Sequence, residues 1–159
     1  MMHNWFTCKI RYEKVSENGM NKKVTEPYLV DALSFTEAES RIIEEMTPFF
    51  QGEFVVAGVA RANYEEIFPS DEECADRWYK CKLWFMTLDE KTGVEKRTAS
   101  NVLVQASDLR DAIKKLDEGM KDTLADYVIA SVAETAIMDV YPYEADPDVK
   151  PEFNDADRR

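Results

Sequence analysis

Two short stretches carry the side chains best suited to holding another molecule. WFTCKIR at residues 5–11 places Trp5, Lys9 and Arg11 on alternate positions, and WYKCKLW at 78–84 does the same with Trp78, Lys80, Lys82 and Trp84. Alternate residues of an extended strand share a face, so indole rings and cations are expected side by side in both stretches. Ring faces stack on unpaired bases at roughly 1–3 kcal/mol per base, and Lys and Arg follow phosphates; this is the chemistry of single-stranded DNA or RNA binding. The net charge of −12 opposes a protein that coats duplex DNA through bulk positive charge. Residues 5–26 nevertheless hold five Lys or Arg against three Glu, and residues 78–97 hold five against three Asp or Glu. Each segment is net +2 and the rest of the chain carries −16, so the basic character is confined to two matching places.

Other readings of the same residues stand beside this one. Tryptophans at strand starts commonly cap a core or fill a homodimer interface, and alternating Lys on a strand also serves solubility and edge protection. The acidic remainder, clustered at 37–45, 65–76 and 144–157, suits a protein-interaction module, including an acidic imitation of DNA that inhibits a basic partner. Such a mimic binds a basic protein and ignores oligonucleotides.

Catalysis finds little support. The chain has one histidine, His3, and no glycine-rich phosphate loop, GxSxG or HExxH, so no catalytic residue and no cofactor is expected. Cys8, Cys74 and Cys81 form no CxxC pair, which supports neither a zinc site nor a disulfide framework. Cys8 and Cys81 read as core residues and Cys74 as a surface thiol. No apolar run approaches the roughly 18–20 residues of a membrane span, and MMHNWF lacks the pattern of a signal peptide. A cytoplasmic, non-membrane protein is the expectation.

The elements that must position these side chains occur twice. A shift of 73 residues places Trp5, Cys8, Lys9, Ile10 and Tyr12 on Trp78, Cys81, Lys82, Leu83 and Phe85. YLVDA (28–32) meets VLVQA (102–106) at 74, while FVVAGVA (54–60) meets YVIASVA (127–133) and IFP (67–69) meets VYP (140–142) at 73. Such self-similarity marks an internal duplication. In each copy an alternating strand runs through a glycine-containing turn, ENGM (17–20) or EKTGV (90–94), into a second strand at 22–33 or 96–106. Ser34 and Asp108 then stand three residues before Glu37 and Asp111, the spacing of a helix N-cap. Phe35, Ala38, Ile42 and Met46 make one apolar stripe, and Leu109, Ala112, Ile113, Leu116 and Met120 the other. The closing strands are apolar on both faces, which predicts positions in the middle of a sheet.

The expected fold is therefore α+β: a duplicated β-β-α-β unit, about 4–69 and 77–142, forming one sheet with two helices on one face, related by a pseudo-twofold axis. Residues 1–143 would make one domain. Residues 144–159, with several acids and two prolines, read as a disordered acidic tail that competes for the basic face or docks a partner protein.

NWFTCKIRYEK, VTEPYLVDALSFTEAE and VAGVARANYEEIF together resemble an uncharacterised family of short domains from Bacteroidetes and their bacteriophages. The resemblance covers residues 4 to about 143. It implies a phage or bacterial setting and supplies no site residues. By association it favours nucleic-acid work, although the chain ends in Asp157, Arg158, Arg159 rather than in the hydrophobic residue that closes the acidic tail of bacterial single-strand-binding proteins.

Overall fold

The computed structural model describes residues 4–143, so His3 and the acidic tail at 144–159 lie outside the described residues. The chain divides into two compact units. The first holds the described residues up to Ala62 and those from Asp139 onward; the second runs from Asn63 to Met138.

In the first unit, β1 (Trp5–Val15) and β2 (Asn21–Asp31) form an antiparallel hairpin, followed by α1 (Phe35–Met46), a short 3-10 turn (Thr47–Phe49) and β3 (Phe54–Ala62). The second unit opens with a short strand, β4 (Glu66–Phe68). The hairpin of β5 (Arg77–Leu88) and β6 (Glu95–Ala106), then α2 (Leu109–Met120) and β7 (Tyr127–Glu134), repeat the order of the first unit. A last strand, β8 (Val140–Tyr141), pairs parallel with β2. The hairpin turns require backbone that only glycine adopts without strain, and Gly19 and Gly93 supply it with φ of 82° and 72°.

The single sheet expected from sequence is corrected to two sheets of four strands, β3-β1-β2-β8 and β4-β6-β5-β7. β3 and β7, expected in the middle, are edge strands. Each carries a bulge at the matching place: Ala57 is the extra residue against Lys9/Ile10, and Ala130 against Lys82/Leu83. A bulge breaks the ladder and twists the strand, which blunts an edge against further pairing. Each sheet instead takes its fourth strand on the opposite edge: β8 adds parallel to β2, and β4 adds parallel to β6.

Each helix packs against its own sheet. Both are capped as their spacing predicts. The Glu37 amide donates to Ser34 Oγ at 3.1 Å and the Asp111 amide to Asp108 Oδ1 at 2.8 Å. In return, Glu37 and Asp111 accept from the backbone of Leu33 (2.7 Å) and Ser107 (3.0 Å). Ala38, Ile42 and Met46 are buried against Phe6, Cys8, Ile10, Tyr28, Val30 and Ala32. Leu116 and Met120 are buried against Cys81, Leu83, Val102 and Val104, and Ala112 against Tyr79 and Ala106. Full burial of each Ile, Leu, Phe or Met stabilises by about 1.5–3 kcal/mol. Phe35, Leu109 and Ile113 lie at the margins of the stripes and stay partly in solvent, with Phe35 edge-on to Phe6 at 5.0 Å between ring centroids.

β8 is held by more than its ladder. Tyr141 stacks on Tyr28 at 6.2 Å, the Arg41 guanidinium donates to the carbonyls of Asp31 and Pro142, and it lies 4.9 Å from the Tyr143 ring. In the second unit Lys115 joins Asp111 (3.0 Å), Glu72 and Ser70 Oγ (3.0 Å), which ties the segment before β5 to α2.

Two outcomes follow from this packing. A Cβ added at Gly119 would stand 2.8 Å from the Phe68 ring of β4. Overpacking costs about 1–3 kcal/mol, against about 1 kcal/mol gained in helix propensity. Gly119→Ala is expected to destabilise the wild-type chain in urea unfolding by about 1 kcal/mol, and to stabilise a Phe68→Ala background; stabilisation in both would remove the role given to Phe68. Separately, burial pushes the Cys8 and Cys81 thiols up to about 11, while Cys74 is exposed. A thiol reagent at pH 8 is expected to label one cysteine per native chain quickly and the other two only on unfolding. Fast labelling of more than one would contradict the buried positions.

Candidate nucleic-acid interface

Period-two alternation sends Phe6, Cys8 and Ile10 toward α1, and Tyr79, Cys81 and Leu83 toward α2. The intervening residues of β1 and β5, among them every residue singled out for nucleic-acid contact, therefore lie on the sheet faces away from the helices. Those faces are not uniformly open.

At the strand starts they are closed. Trp5 is 7% exposed and Trp78 is 3% exposed, so neither indole presents a free face to a base; this corrects the expectation that they sit on an open track. The closure is local to that end. Leu29, across from Thr7, and Leu103, across from Lys80, are fully buried although they too point away from the helices.

Further along, the faces open. Lys9 and Arg11 are exposed and face Pro27 and Thr25 across the hairpin. Arg11 and Lys23 border a depression of about 600 Å³ that also reaches Tyr12 and Phe54. In the second unit Lys80 is exposed, and Lys82 and Trp84 are half-buried. The Lys82 ammonium stands 4.7 Å from the centre of the Trp84 ring, and the Arg97 guanidinium 5.3 Å from it. Among the described residues no ion pair engages Lys9, Arg11, Lys80, Lys82 or Arg97; the ion pairs present involve Arg77 and Lys115.

Arg97 is the member that motif reading passed over. It pairs with Met86, one step beyond Trp84 on the same face, and so reaches the indole diagonally. The signal was present in the hairpin: with Gly93 at the turn and Glu95 set against Leu88, the register brings Arg97 beside Trp84.

The arrangement offers one accessible indole flanked by two cations, with Lys80 farther along the same strand. Each cation–π contact is worth about 0.5–1 kcal/mol at an exposed site, little enough for a base to take the ring while the displaced cation turns to a phosphate. Among the described residues no group of three His, Cys, Asp or Glu side chains is placed to hold a metal ion. No helix among them is long and apolar enough to cross a membrane. Comparison with curated proteins gives no match. The profile of a family described as a domain of unknown function, DUF4494, matches residues 4–143, and the chain belongs to that family.

Proposed function

We propose that this protein is a binding module for single-stranded nucleic acid, and that the strand passes over Trp84 in the second unit. The observation that carries this reading is the cluster of Lys82, Arg97 and Trp84: a half-buried ring and two cations with no carboxylate partner among the described residues, in a chain where acids outnumber bases 32 to 20. Trp84 stacks on a base, and Lys80, Lys82 and Arg97 meet phosphates. Lys9 and Arg11 offer a second basic patch in the first unit. Trp5 and Trp78 support the sheets beneath these patches. The setting in Bacteroidetes and their bacteriophages, and action in the cytoplasm, belong to the same proposal.

A duplication of one β-β-α-β unit accounts for the paired architecture. The bulges at Lys9/Ile10 and Lys82/Leu83 stand 73 residues apart, and the N-caps Ser34 and Asp108 stand 74 apart. Bulges and caps are local irregularities that convergent folding has no need to reproduce in the same places.

A protein-interaction role has its own support. Val55 on β3 and Val128 and Ile129 on β7 are 49%, 52% and 36% exposed on edge strands, as apolar contacts of a homodimer would be. Light scattering separates the two: a stable dimer whose association is lost in Val128→Lys favours the interface reading.

The nucleic-acid reading is tested by titrating the chain with a short oligothymidylate at low and physiological salt while following tryptophan emission. Saturable quenching is expected, retained in Trp5→Phe and in Trp78→Phe. Trp84→Ala is expected to weaken binding about tenfold or more, in line with about 1–3 kcal/mol per stacked base. Three phosphate contacts give a slope of about −2 in log affinity against log salt. Unchanged affinity in both Trp84→Ala and a Lys80→Ala/Lys82→Ala double variant would reject this face.

A further inference from the structure

The helix-facing side of the second sheet is not fully covered. α2 ends at Met120, and beyond it lies a cavity of about 600 Å³. Phe68, Phe85, Val102 and Met120 form its apolar floor, and Glu65 and Glu66 stand among its lining residues. The lining includes no Lys, Arg or His. Ser100 lines it too; this residue is 8% exposed and its hydroxyl makes no hydrogen bond with any described residue. Buried hydroxyls are nearly always paired, and an apolar cavity of this size with a few polar groups is the usual form of a small-molecule site.

The first unit shows how the same place looks when the protein fills it. Glu26 faces Ile10 there as Ser100 faces Leu83 here. The Glu26 carboxylate accepts from the hydroxyls of Tyr12 at 3.2 Å and Tyr28 at 3.3 Å, one on each of its oxygens. Tyr28, across from Cys8, corresponds to Val102, across from Cys81, so the second unit lacks a ring and a hydroxyl at that position. Phe50, four residues past Met46, packs on Tyr12 with 4.8 Å between ring centroids. Leu124, four past Met120, is fully exposed instead. Two rings that close the first unit thus have no equivalent inside the second.

We infer that this cavity binds a small aromatic amine that carries a polar atom on its ring. The ring lies on Phe68, Phe85 and Met120 and fills the volume that Tyr28 occupies in the first unit. The polar atom pairs with the Ser100 hydroxyl. The ammonium meets Glu65 and Glu66, whose charges no basic lining residue offsets. This site is on the opposite side of the sheet from Trp84 and stands or falls independently of nucleic-acid binding.

Tyramine is the probe, with phenethylamine lacking the ring hydroxyl and 4-hydroxyphenylacetate reversing the charge. Amide shifts of the isotopically labelled full chain are followed by NMR. Tyramine is expected to shift Ser100, Thr98 and Gly119 saturably in the millimolar range, with phenethylamine several-fold weaker and 4-hydroxyphenylacetate at least about fivefold weaker. Ser100→Ala, which removes no hydrogen bond to a described residue, is expected to bring tyramine down to phenethylamine. A Glu65→Gln/Glu66→Gln double variant is expected to erase the preference for the amine. Val102→Tyr, which restores the residue of the first unit, is expected to abolish binding in a chain that otherwise keeps its spectrum. No saturable shift by about 20 mM tyramine, shifts that map elsewhere, or equal binding of the carboxylate would each overturn the site.

Discussion

Strands β1 and β5 are each flanked by two partners, β2 with β3 and β6 with β7, and that position constrains everything else in the fold. A strand paired on both sides cannot slip by one residue without turning its whole core set to the other face. Phe6, Cys8 and Ile10 in one unit, and Tyr79, Cys81 and Leu83 in the other, must all meet a helix at once. The registers of four ladders follow from two alternating sequences of about seven residues each. The cations between the core residues then have no choice of side, so the basic faces are a consequence of the core.

The same constraint explains which expectations survived contact with the structure. Hairpins, helices, N-caps and the central core residues were legible because each is written locally, in a period of two, a glycine at a turn, or an oxygen three residues before an acid. Helix margins were less so: Phe35, Leu109 and Ile113 continue the apolar stripes in sequence yet remain partly exposed. Strand order was not legible. Apolar residues on both faces of β3 and β7 argued for central positions, but both are edge strands, each with a bulge, and a bulge has no signature in hydrophobic pattern. The short strands IFP and VYP matched each other in sequence, but nothing local told which sheet each would join.

Which side of the sheet the candidate residues take was legible, and how open that side is was not. Alternation placed Trp5 and Trp78 on the side away from the helices, and that much follows from the pleat. Burial of that side at the strand starts, where Leu29 and Leu103 are also covered, depends on packing that a one-dimensional pattern does not encode. Of the three indoles, Trp5 and Trp78 are buried and Trp84 is half-buried. Arg97 joins it through hairpin register rather than through any motif. The cavity was less visible still: it arises from what Val102 and Ser100 lack relative to Tyr28 and Glu26, and an absence of volume shows only when two similar units are compared in three dimensions.

Trp84 and Phe85 are neighbours in sequence and lie on opposite faces of β5. One strand therefore carries both the most accessible aromatic of the charged face and part of the floor of the cavity beneath. The first unit has neither: Arg11 and Tyr12 occupy the equivalent positions, and Tyr12 is committed to Glu26 and Phe50. Two units with the same order of elements differ at this dipeptide and its cross-strand partners. The first unit fills with Tyr28 and Glu26 the place that Val102 and Ser100 leave open in the second. Among the described residues, the two cations beside Trp84 and the Ser100 hydroxyl that makes no hydrogen bond belong to the same unit, one set on each face of its sheet.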